Sequence, residues 1–326
     1  MRHQRRTLLG AICAAAAAAS FSPLVRADSF PSKPIRIIVP LPPGGSNDVL
    51  ARVLGQKMSE TFGQPVIVEN KPGAAGNIAT DYLVKSEADG YTIAIAPNQT
   101  VSVNPVLYPT LPFDVLKDIQ GISMLGRVPM VLLVSPNIKA ASVSELIALA
   151  KASTEELSYA SAGSGSPQHM AAEVFKSMTD VNLMHVPYRG TAPAMVDVLA
   201  GTVDMMFCPL NSALPHIRSG KLRALGASGQ SRIPLLPDVP TVGETVKGFE
   251  SDIWIGMVAP AGTPPAVVNK LNAELRRALD LPDVRETLAE QGIFAESSTA
   301  DEFNSLIASD QKRWAAVIQK AHIKPD

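Results

Sequence analysis

Residues 35–54 have the sequence IRIIVPLPPGGSNDVLARVL, which combines a strand, a stiff loop and the start of a helix. In the loop, Gly44 and Gly45 let backbone N–H groups converge because they carry no Cβ atom. The first turn of the following helix adds unpartnered N–H groups at its positive dipole end, so the loop favours a small anion held by backbone amides. An ordinary turn between strand and helix is the alternative interpretation. The candidate ligand residues here are Pro42, Gly44, Gly45, Ser46, Asn47 and Asp48.

A second loop of related composition lies in the middle of the chain, between a predicted strand at 157–160 and a helix that begins at Pro167. Residues 161–166 (SAGSGS) are small and rich in hydroxyl groups, and Pro167 suits the first position of a helix. The sequence GTAPA at 190–194 indicates a third helix start of this kind. Three helix N-termini could therefore point into one site. The candidate ligand residues of the second loop are Ser161, Gly163, Ser164, Gly165 and Ser166.

The first 27 residues have the features of an export signal. Arg2, Arg5 and Arg6 form a positive segment, residues 8–19 are apolar, and residues 25–27 (VRA) fit a signal cleavage site. We therefore predict that the protein is exported to the periplasm and cleaved near Ala27. The sequence QRRTLL, which begins at residue 4, also resembles a twin-arginine signal, so the Sec and twin-arginine routes both stay open.

The mature chain that this cleavage leaves is mildly acidic. The whole sequence has 29 lysine and arginine residues against 30 aspartate and glutamate residues, and the predicted signal contains four of the arginines and no acid. Nucleic acid and anionic membrane surfaces select basic proteins, so neither is an expected partner. Of the two cysteines only Cys208 survives processing, so no internal disulfide is expected. No histidine has a metal-like spacing to other ligand types, and we predict no metal and no cofactor.

Strand-like runs alternate with helical patterns along most of the chain, which predicts an α/β fold with largely parallel sheets. The runs form two βαβ sets of similar size, and an apolar run near the end of the second set indicates a return to the first. A two-stranded hinge and a cleft between two lobes are therefore expected. We assign residues 28–127 and 255–326 to lobe 1 and residues 128–254 to lobe 2. The predicted strands are 35–39, 66–69, 92–96, 131–135, 157–160, 183–187, 203–207, 222–227 and 254–259.

Ordered motifs along the mature chain resemble those of one protein family. In chain order they are PLPPGGSND at 40–48, VENKPGAAGNI at 68–78, ADGYT at 88–92, HVPYRG at 185–190, LPDVPT at 236–241 and APAGTP at 259–264. Each motif alone is a weak signal, but their order behind an export signal is specific. The chain resembles the extracytoplasmic solute receptors of tripartite tricarboxylate transporters, also called Bug receptors.

The resemblance implies a two-lobed, type II periplasmic-binding fold that holds a small carboxylate through backbone amides, hydroxyl groups and ordered water. In such receptors one carboxylate group lies against the first loop, and the loop at 161–166 approaches from the other lobe. The family also places polar contacts near the positions matched by Thr191 and Asp204. It implies membrane permease subunits as partners, and we expect a monomer. Leu41 stands where many members carry phenylalanine, and the identity of the acid does not carry over.

Three polar residues near these loops are open to a functional and a structural interpretation. His169 either hydrogen-bonds a ligand or packs the helix that begins at Pro167. Arg189, beside the third helix start, either pairs with a distal carboxylate of the ligand or forms an ion pair with a nearby acid. His185 is expected to be a satisfied histidine of the core.

Two other functions fit part of the sequence. A carboxylate receptor that reports to a membrane sensor shares every feature of a transport receptor. A secreted serine hydrolase would use Ser164 or Ser166 with His169, but residues 163–165 (GSG) do not form the G-x-S-x-G motif. No acid is placed to orient the imidazole either. The sequence therefore favours a receptor that has no catalytic residues.

Overall fold

The computed structural model describes residues 30–321, 323 and 324. The predicted signal peptide and its cleavage site lie outside these residues. Strands β1 to β11 are Ile35–Val39, Val66–Asn70, Thr92–Pro97, Ile119–Val128, Met130–Val134, Leu157–Ser161, Leu183–Pro187, Met205–Pro209, Arg223–Ala227, Ile253–Pro260 and Phe294–Ala295. Helices α1 to α12 are Ser46–Phe62, Asn77–Val84, Asn104–Leu107, Val115–Asp118, Val143–Ala152, Pro167–Thr179, Thr191–Ala200, Leu210–Arg218, Val242–Thr245, Pro265–Asp280, Pro282–Glu290 and Ala300–Ala321.

The first sheet has six strands in the order β11-β4-β10-β3-β1-β2. Strand β1 lies between β2 and β3 and runs parallel to both, as βαβ units require. Strand β10 returns from late in the chain and pairs antiparallel with β3 and β4. Because β1 ends at Val39, the first loop leaves the carboxyl edge of this sheet.

The second sheet has five strands in the order β7-β6-β8-β5-β9. Strand β6 lies between β7 and β8 and is parallel to both. Strand β5 is antiparallel to its neighbours β8 and β9. The second loop follows the last residue of β6, Ser161, and so it leaves the carboxyl edge of the second sheet.

Both sheets are mixed, whereas the sequence predicts largely parallel sheets. Besides the short β11, the strands that break the parallel pattern are β5 and β10, and each begins where the chain crosses between the sheets. Pro129 alone separates β4 from β5, and residues 228–252 lead from β9 to β10. The assigned lobe boundaries, which place the crossings near residues 127 and 255, stay a prediction.

Strand β4, a ten-residue element, is absent from the strands predicted by the sequence. Its glycines, Gly121 and Gly126, weaken the signal because glycine is depleted in strands. A Cβ atom at Gly121 would lie 2.8 Å from Phe303 Cδ1, and one at Gly256 of β10 would lie 1.9 Å from Phe303 Cζ. These glycines are required because α12 packs directly on the two strands, where Asn304 Oδ1 also accepts from Gly121 N at 2.8 Å.

Ser228 ties the two crossing segments together. Its N–H donates to Met130 O at 2.8 Å, and its carbonyl accepts from Ser251 N at 3.0 Å. Its hydroxyl oxygen accepts from Met130 N at 3.0 Å and donates to Asp252 Oδ1 at 2.6 Å. Because Ser228 has no exposed surface, every polar group it carries is committed to this junction.

The last helix, α12, takes part in the cores of both sheets. Phe303 belongs to the cluster on the first sheet and Trp314 to the cluster on the second. Trp254 Nε1 of β10 and Trp314 Nε1 donate to the same oxygen, Asp310 Oδ2, at 3.0 and 3.1 Å. The helix is therefore a connection between the sheets in addition to the two strand crossings.

Candidate functional site

The first loop ends at the N-terminus of α1, and its glycines determine the conformation in which the backbone enters the helix. Gly44 has φ +90°, a conformation that favours glycine, and Gly45 precedes the helix in an extended conformation. Gly45 O accepts from Asp48 N at 2.9 Å. In the described chain this leaves the N–H groups of Ser46 and Asn47 as the donors that the first turn can offer to an anion.

Asp48 is 4 % exposed and braces the first loop from within. Its Oδ2 accepts from Arg52 Nε at 2.9 Å and from Gly44 N at 3.0 Å, and its Oδ1 accepts from Asn70 Nδ2 at 3.0 Å. The hydrogen bond from Arg52 is the main cause that lowers the pKa of Asp48 to about 2. The carboxylate is already neutralised by its neighbours, whereas Pro42 and Gly44 are exposed beside it.

Groups from the same lobe hold the second loop in place. Ser161 Oγ accepts from Gly163 N at 3.1 Å and lies 2.7 Å from His185 Nε2. Gly163 and Gly165 have φ +116° and +73°, so glycine is required at both positions. Gly165 N donates to His169 Nδ1 at 3.0 Å. His169 therefore supports the loop backbone, and its predicted contact with a ligand stays a prediction.

Three stacked rings lie beneath the second loop. The ring centroids of His169 and His185 are 4.0 Å apart with 7° between the planes, and Tyr159 stacks on His185 at 4.9 Å. Tyr159 Oη donates to Glu173 Oε1 at 2.6 Å. His185, expected in the core, is half-buried and reaches Ser161, because the parallel register places it opposite Tyr159. Strand register between distant segments is not visible in the sequence.

The starts of α6 and α7 lie side by side at this edge of the sheet. Ser166 caps α6, and its hydroxyl accepts from His169 N at 3.4 Å. Thr191 Oγ1, at the start of α7, accepts from Gln168 Nε2 at 2.8 Å. The structure thus brings Thr191 next to the second loop, where the resemblance placed a polar contact.

Asp204, in contrast, lies away from this group. Its Oδ2 accepts from Ser158 N and from Ser158 Oγ, each at 2.8 Å. Ser158 is at the amino end of β6, roughly 10 Å along the strand from Ser161, where the second loop begins. The structure does not bring Asp204 together with the predicted loop residues: its carboxylate fixes the opposite end of β6 to the start of β8.

A segment that the sequence did not identify, Gln99–Val103 with its neighbour Asn98, connects the surroundings of the two loops. A Cβ atom at Gly165 would lie 2.5 Å from Leu107 Cδ2, just beyond this segment, and one at Gly76 would lie 2.5 Å from Thr100 Cγ2 and 3.2 Å from Pro40 Cβ. Its irregular helical geometry, with the turn widened to a π-helix, gives no periodic signal.

Asn47 and Asn98 each carry a buried side-chain oxygen, Oδ1, that accepts no hydrogen bond from the described residues. Asn98 Nδ2 donates to Asp252 O at 3.2 Å, so the other end of that amide is fixed. Buried polar atoms in proteins nearly always have partners. An amide oxygen is an acceptor, which suits a ligand hydroxyl group or a water molecule beside a carboxylate rather than the carboxylate itself.

A cavity of about 440 Å³ near the strand crossings is a poor match for a carboxylate. Its lining includes the acids Glu250, Asp252 and Glu296, and Arg232 of the same lining is paired with Glu244 at 2.7 Å. Arg127, also in the lining, already donates to Glu296 Oε2 at 2.8 Å. An added anion would meet unfavourable charge there, so the two loops remain the better candidate site.

Ser161 and His185 have the spacing of a nucleophile and its base, but Ser161 has no exposed surface. A substrate carbonyl could not reach that hydroxyl without displacing Gly163, whose N–H already binds it. Among the described residues, no group of three or more histidine, cysteine or acidic side chains is placed to hold a metal ion. In the same residues no helix is both long and apolar enough to cross a membrane.

Comparison with known proteins shows similarity along nearly the whole chain. The sequence model of the tripartite tricarboxylate transporter family receptor matches residues 50–323. Protein BugT of Bordetella pertussis is 39 % identical over 319 residues, which cover 97 % of this chain and 98 % of BugT.

Two solved structures with bound acids have the same fold. R. palustris Rpa4515 with adipate gives a TM-score of 0.81 at 32 % identity, covering 91 % of this chain and 100 % of that chain. MatC (Rpa3494) from Rhodopseudomonas palustris with bound malate gives a TM-score of 0.76 at 32 % identity, covering 89 % and 100 %. These similarities confirm the two-sheet α/β fold and the family resemblance seen in the sequence motifs.

Proposed function

Because this chain belongs to the receptor family of tripartite tricarboxylate transporters, we propose that it is a periplasmic receptor for a small organic carboxylate. It captures the acid in the cleft between its lobes and delivers it to the membrane permease subunits of such a transporter. The relatives that hold adipate and malate support this class of ligand. The observation that carries the proposal is the first loop, where α1 begins with available N–H groups beside an acid that Arg52 neutralises.

The first loop provides the fixed half of the site. A carboxylate group of the ligand accepts from the N–H groups of Ser46 and Asn47 at the positive end of the α1 dipole. Asp48 does not oppose it, because its negative charge is paired with Arg52. Asn47 and Asn98 bind water or a ligand hydroxyl through their unpartnered oxygens.

The second lobe closes on the acid with small polar groups. Its loop contributes hydroxyl and amide donors, and the neighbouring start of α7 adds Thr191. The loop carries no charge, so the second lobe recognises shape and hydrogen bonds here. The residues proposed to line this side are Gly163, Ser164, Gly165, Ser166, His169 and Thr191, while the buried Ser161 holds the loop from beneath.

The acid leaves the receptor chemically unchanged in this proposal. The family members that define the comparison are solute receptors, and the buried Ser161 lacks access to a substrate. Incubation of the protein with a bound acid should return that acid quantitatively. Recovery of a hydrolysed or rearranged product would contradict the receptor function.

The first test is a thermal-shift screen of the mature protein against a panel of mono-, di- and tricarboxylic acids. A specific acid at about 100 times its dissociation constant should stabilise the protein by roughly 2.7 kcal/mol. Phosphate and sulfate at equal concentration separate carboxylate recognition from general anion binding. A panel without any stabilising acid would argue against the proposed function.

Gly45→Val tests the first loop. Gly45 has an ordinary negative φ and no atom within 4 Å of an added Cβ, so the fold should tolerate valine. The branched side chain should nevertheless block the approach of a carboxylate to the start of α1 and remove most of the ligand stabilisation. Gln56→Val introduces the same side chain on the same helix, about 15 Å away, and should bind normally. Equal affinity in both variants would refute the assignment of this loop.

A further inference from the structure

The second loop rests on two histidines that hold it by different hydrogen bonds. Gly165 N donates to His169 Nδ1 at 3.0 Å, whereas His185 Nε2 lies 2.7 Å from Ser161 Oγ. His169 is buried and His185 is half-buried. A protonated imidazole has a donor at both ring nitrogens, so the two hydrogen bonds respond differently to a proton.

His169 has to be neutral while it supports the loop backbone. Its Nδ1 accepts from Gly165 N, which it can do only as long as this nitrogen carries a lone pair. A proton on Nδ1 would face the N–H group of Gly165, and two buried donors would then point at each other without an acceptor. The loop conformation in this structure therefore excludes the proton from His169.

The hydrogen bond of His185 forms in either charge state. The Ser161 hydroxyl donates to Nε2 when that nitrogen has a lone pair, and it accepts from Nε2–H when the ring is protonated. In the second case the hydroxyl hydrogen turns to Gly163 O, 3.2 Å away, and the hydroxyl oxygen still accepts from Gly163 N at 3.1 Å. Protonation of His185 therefore adds a positive charge beneath the second loop and keeps the loop contacts.

Four charged or titratable groups face His185 from β6 and α6, and their charges cancel. Tyr159 stacks on the His185 ring and donates its hydroxyl to Glu173, and burial raises the pKa of Tyr159, which keeps it neutral. Glu173 is paired with Lys176 at 2.8 Å. The ring of His169 lies 4.0 Å away, so two protons on the histidine pair would repel each other strongly. The pair therefore takes up one proton, at His185.

We infer that His185 takes up a proton when the receptor captures its acid, so that the affinity increases as the pH falls from about 7.5 to about 6. The inference rests on the proposed receptor function and adds its regulation. Residues 161–166 carry no charge, so an imidazolium beneath them is a positive charge close to the bound anion. Because the anion favours the protonated form of His185, binding and protonation strengthen each other by linkage.

The experiment is isothermal titration of the mature protein with malate, adipate and every other acid that the thermal-shift screen identifies. The readout is the ratio of the affinities at about pH 6 and about pH 7.5, which should be about three to ten in wild type. His185→Gln keeps an amide that can bind Ser161 but cannot take up a proton, and its ratio should be lower by that factor. Each acid titrates in the same way in every experiment, so a difference between the two proteins originates from the protein.

A second measurement counts the protons directly. Titrations of wild type near pH 6.5 in MES and in imidazole buffer, which differ in ionisation enthalpy, should show a larger proton uptake on binding than the same titrations of His185→Gln. This comparison does not depend on the absolute affinity of the variant. Equal proton uptake in the two proteins would overturn the inference.

Two further variants serve as controls. His169→Asn offers Gly165 N an acceptor that cannot be protonated, and His216→Gln removes a histidine from the last turn of α8, which packs on the second sheet. Both should keep the affinity ratio of wild type.

Three results would overturn the inference and leave the receptor function intact. These are an equal ratio in wild type and His185→Gln, a ratio that His169→Asn abolishes, and a wild-type affinity that falls relative to His185→Gln as the pH falls. Failure of wild type to bind any acid would instead contradict the proposed function itself.

Discussion

Two aspartates illustrate how the surroundings of a single side chain determine its charge. Hydrogen bonding from Arg52 lowers the pKa of Asp48 to about 2, and burial raises the pKa of Asp252 to about 6. Asp48 is thus a carboxylate at all ordinary pH values, whereas Asp252 can hold a proton in mildly acidic solution. The first holds the ligand loop together, and the second lies at the strand crossings.

Asp48→Asn should destabilise the protein at neutral pH. The folded pKa lies below the ordinary value of 3.8, so the contribution of Asp48 is complete above that pH and disappears as the pH falls towards 2. We expect a loss of about 1 to 3 kcal/mol in the free energy of unfolding at pH 7, measured with urea, and a smaller difference near pH 3. Asp301→Asn, an exposed change in the first turn of α12, should have little effect at either pH. An equal loss at both pH values would contradict the ionic origin.

At the scale of elements, the two crossings depend on hydrogen bonds that Ser228 makes to Met130, Ser251 and Asp252. Asp252 also lines the cavity near the crossings and the small space of about 10 Å³ between the sheets, which holds about one water molecule. Asp252 is half-buried between these two spaces. Ionisation at this point places a charge where solvent is scarce.

The stability of the crossings should fall as the pH rises through about 6. Because the folded pKa of Asp252 is above its ordinary value of 3.8, the folded protein retains a proton that the unfolded chain has released between these two values. The free energy of unfolding should therefore decrease from pH 4 to pH 7 by an Asp252 contribution on the order of 2 kcal/mol. Asp252→Asn should remove this contribution, and Asp238→Asn, an exposed change, should retain it. A pH profile of Asp252→Asn that matches wild type would rule out the assignment.

The elements best predicted from the sequence are those with a strong local pattern. β1 and β7 have the predicted bounds, and the other predicted strands differ by one or two residues at their ends. β4 was not predicted because its glycines weaken the strand pattern. The contacts with α12 require these glycines, and α12 lies almost two hundred residues away in sequence. The direction of β5 and β10 also depends on the crossings between the sheets, and no local pattern encodes that.

The residues of the candidate site also fall into two groups: those that a local pattern predicts and those whose position depends on strand pairing. Local rules for loops and helix starts predict that Gly44 and Gly45 precede a helix and that Pro167 begins one, and the structure has both features. His185 and Asp204 depend on which strands are neighbours and in what register. That information arises only when β6 pairs with β7 and β8. The sequence therefore could not predict that His185 reaches Ser161, nor that Asp204 contacts Ser158 at the other end of β6.

For the whole molecule, the proposed function requires the lobes to approach each other while the crossings and α12 keep their cores intact. Binding at both loops should favour the closed arrangement, because only that arrangement satisfies both sets of donors. Small-angle scattering should therefore show a smaller radius of gyration with a tight-binding acid than without it. Gly45→Val should show no change at the same concentration of acid. Wild type that binds the acid without compaction would retain the receptor function but lose the hinge mechanism.

The shared contact of Trp254 and Trp314 with Asp310 Oδ2 has a consequence for spectroscopy. The chain has two tryptophans, and both indole N–H groups point to one carboxylate oxygen, so the intrinsic fluorescence of the protein originates from a single spot. Emission then monitors the attachment of the last helix, and Trp314 also lines the small space beside Gly165 of the second loop. A fluorescence titration with ligand therefore measures motion that reaches the contact between β10 and α12. If the fluorescence does not change, binding has to be measured by calorimetry.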